Sequence, residues 1–248
     1  FNIHSVVFEN LNNLINLALD FNNISTITNS SFKNIQKLRT ITLKSNNIIQ
    51  IEADAFKNLS SLRIISIDRN KIIYFNEGLE NLHDIHILNF ASNEIKELKS
   101  GQFKNSRNLY RLILKGNFIS NMENQTFNGL ELILKYLDLS ENKFYTIKEH
   151  YFSQLFRLQT LILSHNLISS IDHKSFGRMR HLLNLDLSNN CIFQIHMNTF
   201  TALIKLNVIN LDRNILKTID RNLFQRLSEL RSLHLSDNRL ERFFLDRN

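Results

Sequence analysis

The sequence predicts an α/β solenoid, an arc of stacked coils with a parallel β-sheet on its concave face and irregular or short helical segments on its convex face. Three features predict it: an asparagine that recurs about every 24 residues, apolar residues that alternate just before it, and a phenylalanine ten residues after it. A single coil of this length cannot bury its own apolar side chains, so successive coils must stack. We therefore expect residues 1–248 to form a single domain of about ten repeats.

The asparagine column holds the repeats in register. Its spacing is 24 residues throughout, except for 23 before Asn93 and 25 before Asn142. An asparagine amide carries two donors and one acceptor, so at a bend it can pair backbone groups of its own coil and of the next. An apolar residue there would leave those groups unpaired, at about 1–3 kcal/mol each. We expect a structural ladder made of Asn22, Asn46, Asn70, Asn93, Asn117, Asn142, Asn166, Asn190, Asn214 and Asn238.

A short strand precedes each asparagine. Aliphatic residues or phenylalanine occupy the fifth and third positions before it, as Leu185 and Leu187 do before Asn190. This alternation has the period of a strand with one buried face, so the other face of the sheet stays uncovered. The strands are expected near residues 14–22, 38–46, 62–70, 85–93, 109–117, 134–142, 158–166, 182–190, 206–214 and 230–238.

The phenylalanine column predicts an apolar spine on the far side of each coil. In the 23-residue repeat Leu79 replaces the ring and Gly78 precedes it, so we expect a local dent there, and Ser106 marks a second weak position. Stacked rings bury large areas between neighbouring coils. The column consists of Phe8, Phe32, Phe56, Phe103, Phe127, Phe152, Phe176, Phe200 and Phe224.

Composition and the two ends limit the other possibilities. The chain has no proline, five glycines and one cysteine, Cys191, so it forms no internal disulfide. It has no apolar run of the roughly 18 residues that span a bilayer, and no visible signal peptide. Both ends fall within a repeat, so we expect the terminal caps of the solenoid to be missing and the array to continue.

The repeat pattern LxxLxLxxNxIxxIxxxxFxxLxxL, seen most clearly from Leu182 onwards, resembles the typical class of extracellular leucine-rich repeats. Chaoptin-like adhesion proteins and Toll or Toll-like receptor ectodomains have this repeat. The resemblance covers nearly the whole chain and implies a secreted or membrane-anchored ectodomain at the cell surface. It also implies disulfide-bonded caps, which this chain lacks.

The predicted concave face carries the candidate partner site. Exposed apolar residues beside arginine and tyrosine have the composition of a binding hot spot. The alternative is that β-branched residues simply suit a strand surface. The candidate residues are Ile64, Ile87, Arg111, Ile113, Tyr136, Asp138, Ile162, Asp186 and Asp212.

Charge on this face opposes a polyanion. Its outward positions carry five basic and seven acidic residues, a difference of −2, although the chain as a whole carries +7. The surplus positive charge must therefore lie on the convex and lateral surfaces, and a nucleic acid on the concave face is disfavoured.

Other candidate sites are weaker. Four glycosylation sequons, at Asn23, Asn29, Asn58 and Asn124, are as many as chance would give in so asparagine-rich a chain. His150, His173 and His196 recur every 23 residues, a drift that disfavours a shared metal site. We expect Cys191 to be a partly buried free thiol.

No catalytic motif or phosphate-binding loop is present, and an open trough excludes water poorly, so we predict no enzyme, no cofactor and no metal. The leading hypothesis is a protein-binding module for a protein or cell-surface partner, in a cell-adhesion protein or receptor. A Toll-type immune receptor that dimerises, a structural spacer and an intracellular adaptor remain alternatives. A homodimer is possible, and the membrane would be reached only through segments outside this chain.

Overall fold

The structure is a computed structural model that describes residues 3, 8, 10–75, 79 and 82–241. Its main element is a ten-stranded sheet to which each coil contributes one strand, and each strand pairs in parallel with the strand of the next coil. The strands are β1 (Asn16–Ala18), β3 (Thr40–Thr42), β5 (Ile64–Ser66), β6 (Ile87–Asn89), β8 (Arg111–Ile113), β10 (Tyr136–Asp138), β12 (Thr160–Ile162), β14 (Asn184–Asp186), β15 (Val208–Asn210) and β16 (Ser232–His234).

Each strand of this sheet from β3 to β15 presents its central side chain to the core and the other two to the open face of the sheet. In β8 the central Leu112 is fully buried, whereas Arg111 and Ile113 are half-buried. The register continues without a shift into β10, where Leu137 is opposite Leu112. Because the register never slips, every column of the repeat becomes a line of neighbouring side chains across the sheet.

The asparagine ladder joins neighbouring coils at the bend after each strand. The Asn142 amide donates to the carbonyls of Leu139 and Ser140 in its own coil and to that of Leu114 in the coil before, at 3.0–3.1 Å. Its Oδ1 accepts the backbone N–H of Ile119 at 2.9 Å. Asn22, in the first complete repeat, is exposed, and among the described residues its amide bonds only carbonyls of its own coil. The amide therefore stabilises the interface between coils as well as the bend.

The residue before each ladder asparagine adopts a left-handed backbone conformation, with φ from +53° to +67°. Gly116 is the one glycine among these ten positions. Left-handed φ costs most side chains about 1–2 kcal/mol. The bend is therefore imposed by the asparagine bonds and by the stacking of coils, not by glycine.

The convex side is made mostly of turns, which agrees with the irregular segments of the predicted fold class and not with its helical ones. Between residues 82 and 241 the regular helical structure is one 3₁₀ helix, Glu149–Tyr151. The α/β class is therefore not confirmed, because the described convex segments are irregular. Short convex segments let the turns close by local backbone bonds, such as Leu155 N–H to Phe152 O at 3.0 Å.

A second set of strands, not predicted from the sequence, lies four and five residues after the asparagines. Parallel two-residue pairs join neighbouring coils on this side of the bend. We call this side, which follows each bend, the trailing flank, and the side that precedes each strand the leading flank. The pairs are β2 (Thr26–Ile27) with β4 (Gln50–Ile51), β7 (Glu97–Leu98) with β9 (Asn121–Met122), and β11 (Thr146–Ile147) with β13 (Ser170–Ile171).

The phenylalanine column forms a buried stack. Phe176 is fully buried, and its ring centroid lies 6.2 Å from that of Phe152 and 6.1 Å from that of Phe200. Ser106, expected to be a weak position, is buried as well. At the end of the column Phe224 is only partly buried.

Leu79 interrupts the stack but is itself buried, and Phe75 contributes an extra ring beside it. The Phe75 ring lies 4.4 Å from that of Phe90 and 6.1 Å from that of Phe103. Gly78 lies outside the described residues. An aromatic ring from a different column thus fills part of the space that Leu79 leaves.

No helix in the described part of the chain is long and apolar enough to cross a membrane.

Candidate functional site

The open face of the sheet brings four of the predicted partner-binding residues into one row. Ile64, Ile87, Arg111 and Tyr136 occupy the first position of four neighbouring strands and pair directly in register. All four are half-buried, so each presents part of its side chain to solvent. We call this row the open-face patch.

Arg111 and Tyr136 form the most ordered contact of the patch. The Arg111 guanidinium carbon lies 3.9 Å from the centre of the Tyr136 ring, which is a close cation–π contact. Burial raises the pKa of the Tyr136 phenol and the nearby Asp138 carboxylate raises it further, whereas Arg111 and Lys115 oppose the shift. The phenol therefore stays neutral at physiological pH and can donate or accept a hydrogen bond.

A second row adjoins the patch and contains three more predicted residues. Asp138 pairs in register with Ile113 on one side and with Ile162 on the other. Its side chain is only 7% exposed, and its Oδ1 accepts both the hydroxyl and the backbone N–H of Ser140, at 2.6 and 2.9 Å. Asp138 thus holds the bend in place, while the two isoleucines extend the apolar part of the face.

The remaining two predicted acids lie towards the C-terminal end of the sheet. Asp186 is in β14 and accepts the backbone N–H of Ser188, and Asp212 accepts that of Ser236. Both are half-buried. The structure does not bring them next to the Arg111–Tyr136 contact, so they lie outside the open-face patch.

Most cations of the open face are paired with a group on the next strand or bend. Lys115 lies 3.1 Å from Glu141, and Arg213 lies 3.3 Å from Asp237. Lys44 and Asp68 form a looser pair at 3.9 Å. Local charge on this face is therefore largely neutralised.

The four sequon asparagines, Asn23, Asn29, Asn58 and Asn124, are all exposed. Glycosylation at these positions stays a prediction, because exposure is only one of its requirements.

Cys191 is exposed, which corrects the expected partial burial. It follows a ladder asparagine directly, and this column points outwards: Lys71, Glu94, Phe118 and Lys143 are exposed at the same position of their repeats. The polar character of most of that column could have predicted the exposure.

The histidines do not converge on a shared site. The rings of His173 and His196 lie 5.2 Å apart, whereas His150 packs against Tyr151. In the described residues no three His, Cys, Asp or Glu side chains are grouped as metal ligands.

Sequence reasoning missed a basic surface on the leading flank. Three adjoining hollows there are lined by Lys135, Arg157, Arg178, Arg180 and Arg226, which we call the basic groove. These cations occupy no fixed column of the repeat, lying seven, nine, ten or twelve residues before their asparagines. A charge count over the whole leading flank, taken coil by coil, would have found them.

Comparisons with solved structures give the fold. The Toll–Spatzle complex from Drosophila matches with a TM-score of 0.80 at 22% identity, over 95% of this chain and 34% of that chain. A leucine-rich repeat protein of Leptospira interrogans matches at 0.84 and 23%, over 100% of this chain and 64% of that one. A TLR13–ssRNA13 complex matches at 0.56 and 21%, over 97% and 49%. This chain thus spans about one third to two thirds of the length of these three matched chains.

A comparison with curated proteins gives no significant match.

The family follows from the sequence match. Seven overlapping segments match the leucine rich repeat family model: residues 1–48, 12–72, 36–95, 83–144, 107–168, 156–203 and 180–240. Solenoids of this kind are typically non-catalytic scaffolds for protein interaction. Together the segments span residues 1–240, and the resemblance drawn from the repeat pattern is thereby confirmed: the chain belongs to the leucine-rich repeat family.

Proposed function

We propose that this chain is a non-enzymatic protein-binding module, the ectodomain segment of a secreted or membrane-anchored adhesion protein or receptor. The observation that carries the proposal is the open-face patch. Arg111 stacks on Tyr136 at 3.9 Å, with Ile87 and Ile64 in register beside them.

The composition of the patch suits protein recognition. Tyrosine and arginine are enriched among the residues that dominate binding energy, and apolar neighbours exclude water around them. The cation–π contact also fixes two flexible side chains before a partner arrives, which lowers the entropy lost on binding. Since the other cations of this face are mostly paired, the patch is the part of the sheet best able to contribute binding energy.

The structural neighbours add support for a protein partner. Toll, which shares the fold, is seen in complex with Spatzle. The TLR13 complex with ssRNA shows that such a solenoid can also hold RNA, but its TM-score is lower. The open face of this chain carries a net −2 by sequence, which disfavours a nucleic acid there.

Of these two roles, we favour an adhesion protein over a Toll-type immune receptor. The repeats keep to 23–25 residues and contain no long insertion. An uninterrupted sheet offers a long surface for contact with another cell-surface protein. Residues flanking the chain would separate the two roles, since a Toll-type signalling domain after an apolar span would identify a receptor.

Substitution within the patch tests the proposal. Extracellular proteins captured by the wild-type chain are identified, and the strongest partner is then titrated against Tyr136→Ala and Arg111→Glu. Loss of a central anchor should weaken binding by about tenfold or more, since hot-spot truncations cost roughly 2 kcal/mol. The thermal midpoint should fall by only a few degrees, because both side chains are only half-buried and their cation–π contact is worth about 0.5–1 kcal/mol.

Matched controls lie elsewhere on the surface. Tyr145→Ala and Arg107→Glu alter exposed residues on the trailing and leading flanks, and both variants should bind like the wild type. Equal affinity of the patch variants and the wild type would show that the open-face patch is not the binding site. A monomeric wild-type chain in light scattering that captures nothing would favour a structural spacer.

A further inference from the structure

The basic groove is a continuous surface that crosses five coils of the leading flank. The hollow that contains Lys135 and the one that contains Arg178 share His181. The hollow that contains Arg178 shares Arg180 with the one that contains Arg226. From Lys135 beside β10 to Arg226 before β16 it follows five neighbouring strands. At a strand spacing of about 4.8 Å the groove is about 20 Å long at the sheet.

Charge in the groove has one sign. All five of its cationic side chains are exposed, and among the described residues no aspartate or glutamate lines any of the three hollows. None of the five forms an ion pair with a carboxylate of the described residues. A further exposed cation, Lys205, lies on the same flank between Arg180 and Arg226 in sequence. The positive potential is therefore not cancelled locally.

Two of the arginines are held in place by neutral groups. His181 Nδ1–H donates a hydrogen bond to the backbone carbonyl of Phe156 at 3.0 Å, which leaves the lone pair on Nε2 to accept a hydrogen bond from Arg157 Nη1 at 3.1 Å. The guanidinium carbon of Arg178 lies 5.8 Å from the centre of the Phe156 ring. Both contacts order a guanidinium without neutralising it, as a site for an anion requires.

We infer that the basic groove binds a sulfated polysaccharide. Guanidinium groups bind tetrahedral oxyanions through paired hydrogen bonds, and successive cations along an open groove suit a linear polymer with repeating charges. The biological source of such a polymer, the cell surface or matrix, rests on the extracellular role proposed above.

Two observations favour this polymer over single-stranded nucleic acid. Nucleic-acid grooves combine positive charge with exposed aromatic rings on which bases stack. The rings that line these hollows are Phe156, which is half-buried with Arg178 over it, and His181, whose two ring nitrogens are both hydrogen-bonded. The exposed apolar residues of the groove are instead aliphatic, Leu132 at 66% and Ile204 at 45% exposure.

The test uses immobilised heparin and the full chain. Wild type, the double variant Arg157→Glu with Arg180→Glu, and a charge-matched control, Lys143→Glu with Lys217→Glu on the trailing flank, are titrated at several salt concentrations. The groove variant should bind about tenfold more weakly or worse and show a shallower salt dependence, because it loses contacts that release counterions. The control should stay within about twofold of wild type, and all three should melt at the same temperature.

Several results would overturn the inference. Equal weakening of the groove and control variants would mean that net charge alone governs retention. Unchanged binding to desulfated heparin would exclude recognition of sulfate. Tighter binding of the wild type to single-stranded RNA or to polyglutamate than to heparin would assign the groove to those polymers. Each of these outcomes leaves the open-face patch untouched, so the two proposals fail separately.

Discussion

The open face and the leading flank use cations in opposite ways. On the open face Lys115 lies 3.1 Å from Glu141, and Arg213 lies 3.3 Å from Asp237. On the leading flank Arg157 contacts a histidine nitrogen and Arg178 a phenylalanine ring, and no carboxylate in the described part of the chain lines the hollows. Most cations of the open face are therefore paired with carboxylates, whereas those of the leading flank keep their charge.

The difference follows from how the two surfaces are built. On the open face the unbroken register places each side chain beside a fixed partner in the next coil, so charges can be paired column by column. Where the structure describes it, the leading flank has no strand, and its cations lie at changing offsets from the asparagines. Recognition on the open face therefore depends on shape and mixed contacts, whereas recognition in the groove depends on charge and ionic strength.

Both surfaces depend on the same ladder, and removing one of its members should have the largest effect. Asn142→Leu leaves one buried N–H and three carbonyls without these hydrogen bonds, so the free energy of unfolding should fall by about 3 kcal/mol or more. Asn22→Leu, at an exposed ladder position with bonds to its own coil alone, should lose ~1 kcal/mol or less. Urea unfolding measures both. Equal losses would show that the bonds between coils contribute little.

A smaller effect on stability should distinguish the ion-paired cations of the open face from the cations of the basic groove. Lys115→Ala removes an ion pair whose two side chains are each about half exposed, so it should cost only about 0.5 kcal/mol, decreasing with added salt. Arg180→Ala removes no ion pair and should leave stability unchanged in low and high salt. Thermal unfolding at two salt concentrations compares them. A salt-dependent loss in Arg180→Ala, or none in Lys115→Ala, would reverse the distinction.

The sequence was most informative where a residue type is tied to one column. Asn46 to Asn214 are buried at the bends, and the rings from Phe32 to Phe200 are buried in the core. Those columns are periodic because each coil meets the same backbone and the same neighbours. Periodicity also placed Arg111 and Tyr136 on neighbouring strands, although their stacking at 3.9 Å depends on side-chain conformations that a pattern does not encode.

Features outside the columns could not be found this way. Phe75 fills space left by Leu79 only because an irregular repeat allows a ring from another column to enter. The repeat pattern leaves open whether a convex segment is irregular or a short helix, and most of the described segments close as turns. The basic groove was seen only as a surplus of positive charge, since its residues come together through stacking and not through shared positions.

Hydrogen exchange of the chain with and without heparin tests most directly whether the two surfaces are separate. We predict slower exchange in peptides covering residues 156–159 and 177–181, with no change in residues 111–113 and 136–138. Protection of the two strands without protection of the groove would contradict the division of this solenoid into a neutralised face for a protein and a charged flank for a polyanion.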